Sequence, residues 1–303
     1  MSNIPEELRR VIIHERDFQK LSVDRKIYCV PVDEREEDRL TAQHDVLYRF
    51  CGERLFFAPI SNPRRILDCG YGRGDWVVQV AEEYEDCEVT GIDIYPILIA
   101  DQPENLSLFG YNLNDRLNDP EVFERSAYDL VHSRFVGQGI KTSRWGSYVR
   151  DIKVLLRPNG WLQMMEYYAN IQSDSGRLSS QSALRRWWEA YVSAMERSNR
   201  DPRIGQRLQQ LMTEAGLRDV GGTIMHVPIG GWDPDAAKAN IGRDNAGMIG
   251  ELLDSLAIWP FTERLGWTAA QVEALTNAAR SEIQDTSLRL YIPVYIAWGR
   301  RRG

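Results

Sequence analysis

The stretch RILDCGYGRGDWVVQV, from Arg65 to Val80, places glycines at 70, 72 and 74, between a short apolar run and an amphipathic one. Glycines at those positions remove Cβ atoms and admit positive φ, so the main chain can lie against a ligand at a strand-to-helix turn. Asp68 stands two residues before the first glycine, and Asp93, in TGID, stands 23 residues after it. A carboxylate at that distance, ending the next strand, can accept both hydroxyls of a ribose. The pattern departs from a dinucleotide fingerprint, which needs its third glycine where this chain has Asp75, a carboxylate that repels a pyrophosphate. No Gly-Lys-Ser/Thr follows, so a phosphate loop is excluded. An adenosyl ligand with a zwitterionic amino-acid portion and no phosphate suits the spacing, and S-adenosylmethionine is the expected cofactor. In that reading Gly70 and Gly72 bare the surface beneath the adenosyl group, and Asp68 reaches the ammonium directly or through water.

These residues need a scaffold to hold them. RRILDC reads as a strand, DWVVQVAEEYED as a helix and CEVTGIDI as a second strand, the unit that a right-handed crossover makes parallel. The alternation continues through LSLFGYN, YDLVHSRF, the helix RWGSYVRDIKVLL stopped by Pro158-Asn159-Gly160, and the strand WLQMMEYY, giving five parallel strands. The late strands TIMHVPIG and LRLYIPVYIAWG flank a stretch whose apolar positions keep helical period. The expectation is one α/β domain over residues 1–303: a helical segment over 1–60, a cofactor-binding half over 61–170, and helical cap elements with the final strands over 171–303.

The formal net charge of −7 would repel a phosphate backbone, which argues against nucleic acid as a partner. The four cysteines form no C-x-x-C pair, so no metal site is expected. No stretch has the length and apolarity of a membrane span, and MSNIPEELRR does not read as a signal peptide, so a cytoplasmic location is expected. No motif speaks to the oligomeric state.

PVDEREEDRLTAQHDVL, LFFAPI, RILDCGYGRGDW, YDLVHSR, LLRPNGWLQMMEYY, LGWTAAQVEAL and LYIPVYIAWGRR, in this order, resemble the fungal LaeA-like, or Tam-domain, class I methyltransferases. The resemblance runs from about Tyr28 to Arg301. It implies a Rossmann-like sheet of seven strands with the last antiparallel, S-adenosylmethionine as cofactor, and a role in secondary metabolism as tailoring enzyme or regulator. Carried onto this chain, the cofactor set is Asp68, Gly70, Gly72, Gly74, Asp93 with Ile94, Asn112 with Leu113, and the segment after the fourth strand, His132 and Ser133 with Arg134. Two departures stand out: Tyr71 and Arg73 replace the usual threonines of the glycine loop, and GYNLND stands where relatives often carry paired acids. Asn112 is then expected to accept from the adenine amino group through its carbonyl oxygen.

Methyl transfer is an in-line displacement, so the protein must align the nucleophile, exclude water and, for a hydroxyl or thiol, receive its proton. His132, at the carboxyl end of the fourth strand, is a candidate base or a polar clamp that moves no proton. Glu166, ending the fifth strand, can hold an amine or pair with an arginine. Tyr167, Tyr168 and Trp187 are candidates to line an aromatic pocket, with Tyr28, Arg39 and His44 closing over it. The expected substrate is a small secondary metabolite methylated on oxygen, nitrogen or sulfur. A regulator working through protein partners, in which case a nuclear location fits, is the alternative. It is disfavoured here because only some thirty residues precede the family core. A third reading keeps the cofactor as a fixed positive charge for pericyclic chemistry.

Overall fold

The computed structural model describes residues 5–303; residues 1–4 of the expected N-terminal segment lie outside it. In chain order the elements are β1 (Arg10–Ile13), β2 (Arg16–Gln19), α1 (Lys20–Arg25), α2 (Glu34–Phe50), β3 (Arg65–Cys69), α3 (Asp75–Glu83), β4 (Glu88–Asp93), β5 (Leu106–Gly110), β6 (Tyr128–Arg134), α4 (Trp145–Leu155), β7 (Leu156–Tyr167), β8 (Gln172–Ser173), α5 (Ala183–Arg197), α6 (Leu208–Glu214), β9 (Arg218–Ile229), α7 (Ala236–Ser255), α8 (Ile258–Leu265), α9 (Ala269–Ile283) and β10 (Leu290–Arg300).

The main sheet runs β5-β4-β3-β6-β7-β10-β9, and the two-residue β8 also pairs with β10. Strands β3 to β7 are mutually parallel, whereas β10 is antiparallel to both β7 and β9. The seven-stranded sheet with an antiparallel last strand is therefore present, with β8 as a short addition. The pleat sorts the core. Leu67, Cys69 and Val131 face the layer of α4 and α6, while Ile66 and Leu130 face α3.

Two local expectations change. The N-terminal segment is not wholly helical, because β1 and β2 form an antiparallel hairpin whose turn residues, His14 and Glu15, both have positive φ. Pro158-Asn159-Gly160 does not separate helix from strand either: α4 ends at Leu155 and β7 begins at Leu156. The three residues form an irregularity within β7, with Asn159 at φ 65° and the register to β6 slipping between Tyr128 and Leu130.

A third apolar cluster joins α2, α5, α7, α8 and α9 to the ends of β7, β9 and β10. Since β7 and β10 meet there at Tyr167 and Val294, these helices stand over the carboxyl ends of the parallel strands, where open α/β sheets place ligands. Polar clamps set the N-terminal segment against that end. Arg16 forks onto Asp33 at 2.6 and 2.9 Å and reaches Asp254 at 3.0 Å. Gln19 Nε2 donates to the Ile94 carbonyl at 2.7 Å, and buried Arg200 donates to the carbonyls of Ile27 and Gln138. The last two contacts tie the 26–32 loop to the segment following β6.

Candidate functional site

A cleft of about 1090 Å³, counting its open mouth, lies at the carboxyl ends of β3, β4 and β6 beneath α2. Its floor is the glycine loop. Gly70, Gly72 and Gly74 have φ of 86°, 59° and 99°, all in the left-handed region where a side chain is strained. Each glycine meets a different demand. A Cβ on Gly70 would sit 2.5 Å from Val136 Cγ1, so this residue keeps two walls in contact. A Cβ on Gly72 would meet only Leu40, at 3.7 Å, and a longer side chain would occupy the cleft. Gly74 lies outside the cleft, caps α3 and abuts Ile99.

Asp93 lines the cleft one strand away. Its Oδ2 accepts from Gly72 N at 2.9 Å and its Oδ1 from Tyr95 N at 2.8 Å. Each oxygen keeps a further lone pair for a hydroxyl, and the backbone bonds fix the carboxylate plane. Burial pushes this carboxyl up to about 6, against the downward pull of those two amides. Ile94, Asn112 and Leu113 complete this wall. Asn112 does not present its oxygen, because Oδ1 already accepts from Asn114 N and Nδ2, both at 3.0 Å. Its amide nitrogen is the group left for a ligand, a donor where an acceptor was expected. Asn114 in turn holds Gly139 O at 2.9 Å and so couples this wall to the segment after β6.

The other side of the cleft is largely apolar. Ile27, Pro31, Val32 and Leu40 face Phe135, Val136 and Ile140, and Tyr28 lines the same space. Desolvation, with the charges of Glu36 and Asp93, raises Tyr28 well above the usual phenol range, so its hydroxyl stays a neutral donor. Gln43 and Glu36 also reach this wall. They belong to a buried network: Arg39 contacts both Glu36 oxygens and donates to Gln43 Oε1 at 2.7 Å, Ser255 bonds Glu36 at 2.5 Å, and Tyr167 donates to Gln43.

Several expected site residues stand behind this wall. Asp68 and His132 are register partners on the α3 face of the sheet, both buried, joined through Nδ1 and Oδ1 at 2.8 Å. The His132 ring stacks on Trp76 at 3.7 Å between centroids, and burial holds its pKa below the ordinary value. Neither lines the cleft. The pair braces the loop, and a neutral His132 donates from Nδ1. Ser133 faces the opposite layer and bonds the Tyr148 hydroxyl at 3.0 Å. Glu166 Oε1 accepts from Val136 N at 2.9 Å and Gly137 N at 3.1 Å, under the segment whose outer surface forms the apolar wall. Tyr167 stacks on Phe135 at 3.8 Å and supports that wall, as Arg39 supports α2 above the cleft. Tyr168 packs edge-on against Trp188 and Tyr295, and Trp187 is core, donating to Leu253 O at 3.1 Å. Neither reaches the cleft.

His44 lies behind Arg134. An arginine only donates, so the 3.2 Å contact from Arg134 Nη2 makes His44 Nδ1 the acceptor and sets its Nε2–H donating to Gln79 Oε1 at 2.7 Å. Burial and the neighbouring guanidinium lower its pKa accordingly. Glu36, Gln43 and Phe135 are cleft residues absent from the expected set, and of the expected segment His132, Ser133 and Arg134 only Arg134 lines the cleft. Among the described residues no group of three or more His, Cys, Asp or Glu is placed to hold a metal ion, and no helix is long and apolar enough to cross a membrane.

A positive-φ glycine loop, an acidic strand end bonded to it and an apolar chamber alongside define a nucleoside-binding α/β enzyme. Residues 42–221, more than half of the chain, match the family model described as a methyltransferase domain, and the chain belongs to that family of S-adenosylmethionine-dependent methyltransferases. It is 30% identical to the methyltransferase pytC of Aspergillus terreus over 84% of this chain and 77% of that one. It is also 30% identical to the secondary metabolism regulator LAE1 of Cochliobolus heterostrophus, over 92% of this chain and 91% of that one, which places it among the fungal LaeA-like members. The regulator laeA of Monascus pilosus is 29% identical over 91% of this chain and 74% of its own length. LAE1 thus carries little beyond the shared region, and the share covered, 77% of pytC and 74% of the Monascus regulator, does not separate regulators from methyltransferases.

His132→Ala separates bracing from proton transfer. The expected result is a loss of about 2 kcal/mol of stability, from a buried Asp68 carboxylate left without its donor. Turnover at saturating cofactor stays within a few-fold of the parent. Thermal melts and initial rates check it, and a thousandfold loss of turnover in a folded variant would return His132 to the chemistry.

Proposed function

We propose that this methyltransferase acts on a small, largely apolar secondary metabolite, at an oxygen, nitrogen or sulfur atom. The observation that carries this reading is the continuity of one cleft from the polar wall of Gly72, Asp93 and Asn112 to the apolar wall of Ile27, Pro31, Val32, Phe135 and Ile140. The residues fit the cofactor. Asp93 and Asn112 offer an acceptor pair and a donor for a ribose and a base, Gly72 leaves the floor bare, and the carboxylate of Asp75 in the cleft disfavours a phosphate there. When bound, S-adenosylmethionine supplies an activated methyl group on a sulfonium.

The chain's own contribution is placement and exclusion of water. The lid from Ile27 to Val32, clamped by Arg200, and α2, held through the Glu36–Arg39–Gln43–Tyr167 network, close the apolar side. Tyr28 can donate to a polar atom of the acceptor. His132, Glu166 and His44 are each committed to structural hydrogen bonds, so alignment in a dry chamber is the main catalytic device and suits an amine, a thiolate or an acidic phenol.

Incubation with S-adenosylmethionine and fungal metabolite fractions, read by mass spectrometry, tests the reading. A product heavier by one methylene is expected. An isomer of unchanged mass would instead mark pericyclic chemistry. The similarity to LAE1 favours, as a second reading, a regulator acting through protein partners. Capture of a specific protein partner, with no small acceptor methylated, would support that reading, which also fits a nuclear location; a cytoplasmic one fits the enzyme.

A further inference from the structure

We propose that Arg134 is the receptor for the α-carboxylate of the cofactor's methionine portion, an assignment that rests on the cofactor reading above. Arg134 ends β6, is half-buried, and its side chain lines the cleft. Its one hydrogen bond joins Nη2 to His44 Nδ1 at 3.2 Å, and among the described residues no carboxylate lies within 4 Å of it. That isolation is unusual in this molecule. Buried Arg16 has Asp33 and Asp254, Arg39 has Glu36, Arg144 has Asp151, and Arg200 is wrapped by backbone carbonyls. The remaining N–H groups of Arg134 have no protein partner among the described residues and are not sealed from solvent, so an anion entering the cleft can complete them.

Position identifies the anion. Cys69 and Ser133 are register partners, so Arg134 and Gly70 leave adjacent strands side by side, while Asp93 ends β4 on the other side of β3. Two strand spacings, about 10 Å, separate the ribose acid from Arg134, a span that an amino-acid tail on the 5′ side of the ribose can cross over the glycine loop. The other cation facing the cleft, Arg73, is more exposed and engaged by Thr41, with Asp75 at 3.8 Å. Facing acids are plentiful, namely Asp75, Asp93, Glu36 and Glu37, so an ammonium has several acceptors and a carboxylate has one uncommitted fork. A planar guanidinium pinned on its far edge by His44 presents paired N–H groups that match a carboxylate in bidentate fashion.

Calorimetric titration of the full chain with S-adenosylmethionine and with its decarboxylated analogue, which keeps nucleoside, sulfonium and amine, isolates this contact. The parent protein is expected to prefer the carboxylated compound by roughly tenfold to a hundredfold. Arg134→Met is expected to abolish that preference while changing affinity for the analogue less than about threefold, and Arg134→Lys to keep part of it. Equal affinity of the parent for both compounds overturns the assignment without recourse to any variant. So does an Arg134→Met protein that retains the preference or loses both ligands equally. A parent protein that binds neither compound overturns the cofactor reading itself.

Discussion

Asp93→Ala is expected to weaken S-adenosylmethionine binding by roughly a hundredfold, about 3 kcal/mol, with the fold retained. The carboxylate is the one acid of the cleft whose two oxygens are each fixed by a backbone amide, Gly72 N and Tyr95 N, so it is aimed before a ligand arrives. Its removal deletes the acceptors for two ribose hydroxyls and frees the Gly72 amide at the tip of the glycine loop. Because burial raises its pKa to about 6, the parent should also show a pH signature. Only the ionised form accepts two hydroxyl hydrogen bonds. Affinity should be flat above about pH 7 and fall toward tenfold per pH unit below 6. The same shift destabilises the ligand-free protein in the opposite sense: the contribution present below the unfolded value of 3.8 is lost as pH rises through about 6. Asp93→Asn should lose the acid limb of the binding curve. Calorimetry from pH 5 to 8 checks both, and an unchanged Kd for Asp93→Ala would remove the ribose from this strand end.

That Asp93 and the glycine loop were legible in the sequence, whereas much of the remaining site was not, has a physical basis. Glycine at positive φ and an acid at a strand end are demands of the backbone itself, so they show up as residue identity at fixed spacing. His132 was legible as a residue near the carboxyl end of β6, but the side of the sheet it faces depends on pleat and register. Asp68 pairs with His132, and both share the α3 face with Ile66 and Leu130. Alternation along ILDC and DLVHS contains that information once the face buried under α3 is known. Of the buried polar residues of α2, Arg39 was expected, whereas Glu36 and Gln43 were not. EREEDRLTAQHDVL opens a charged, then amphipathic helix whose apolar residues mark the buried face, yet Glu36, Arg39 and Gln43, at i, i+3 and i+7, form a second buried stripe that carries its own ion pair. The N-terminal hairpin lacked any turn signal, since His14 and Glu15 adopt positive φ without glycine or asparagine. Trp187 looked like a pocket aromatic, but it and its neighbour Trp188 point about 100° apart on the helix, and both directions are filled by core.

Glu166 carries the largest stability effect. Its carboxyl is 3% exposed and burial pushes it up to about 8, although two backbone amides favour the charged form. It is therefore mostly protonated at neutral pH, with Oε1 accepting from Val136 N and Gly137 N and Oε2 carrying the proton. A group whose pKa is raised on folding contributes stability that is complete below its unfolded value, near 4.5, and lost as pH rises through about 8. The shift corresponds to something on the order of 5 kcal/mol across that window. Glu166→Gln places an amide oxygen under the same two N–H groups and an NH2 where the proton sat, so it should hold the 136–140 segment and remove the decline in stability between about pH 4.5 and 8. Glu166→Ala leaves both amides buried without an acceptor and loosens the wall made by Phe135, Val136 and Ile140, with loss of stability at every pH. Denaturant unfolding of the three proteins from pH 5 to 9 decides the matter. A Glu166→Gln profile parallel to that of the parent would mean that Glu166 ionises without cost, and that the segment is held by the packing of Val136 on Gly70 instead of by this buried acid.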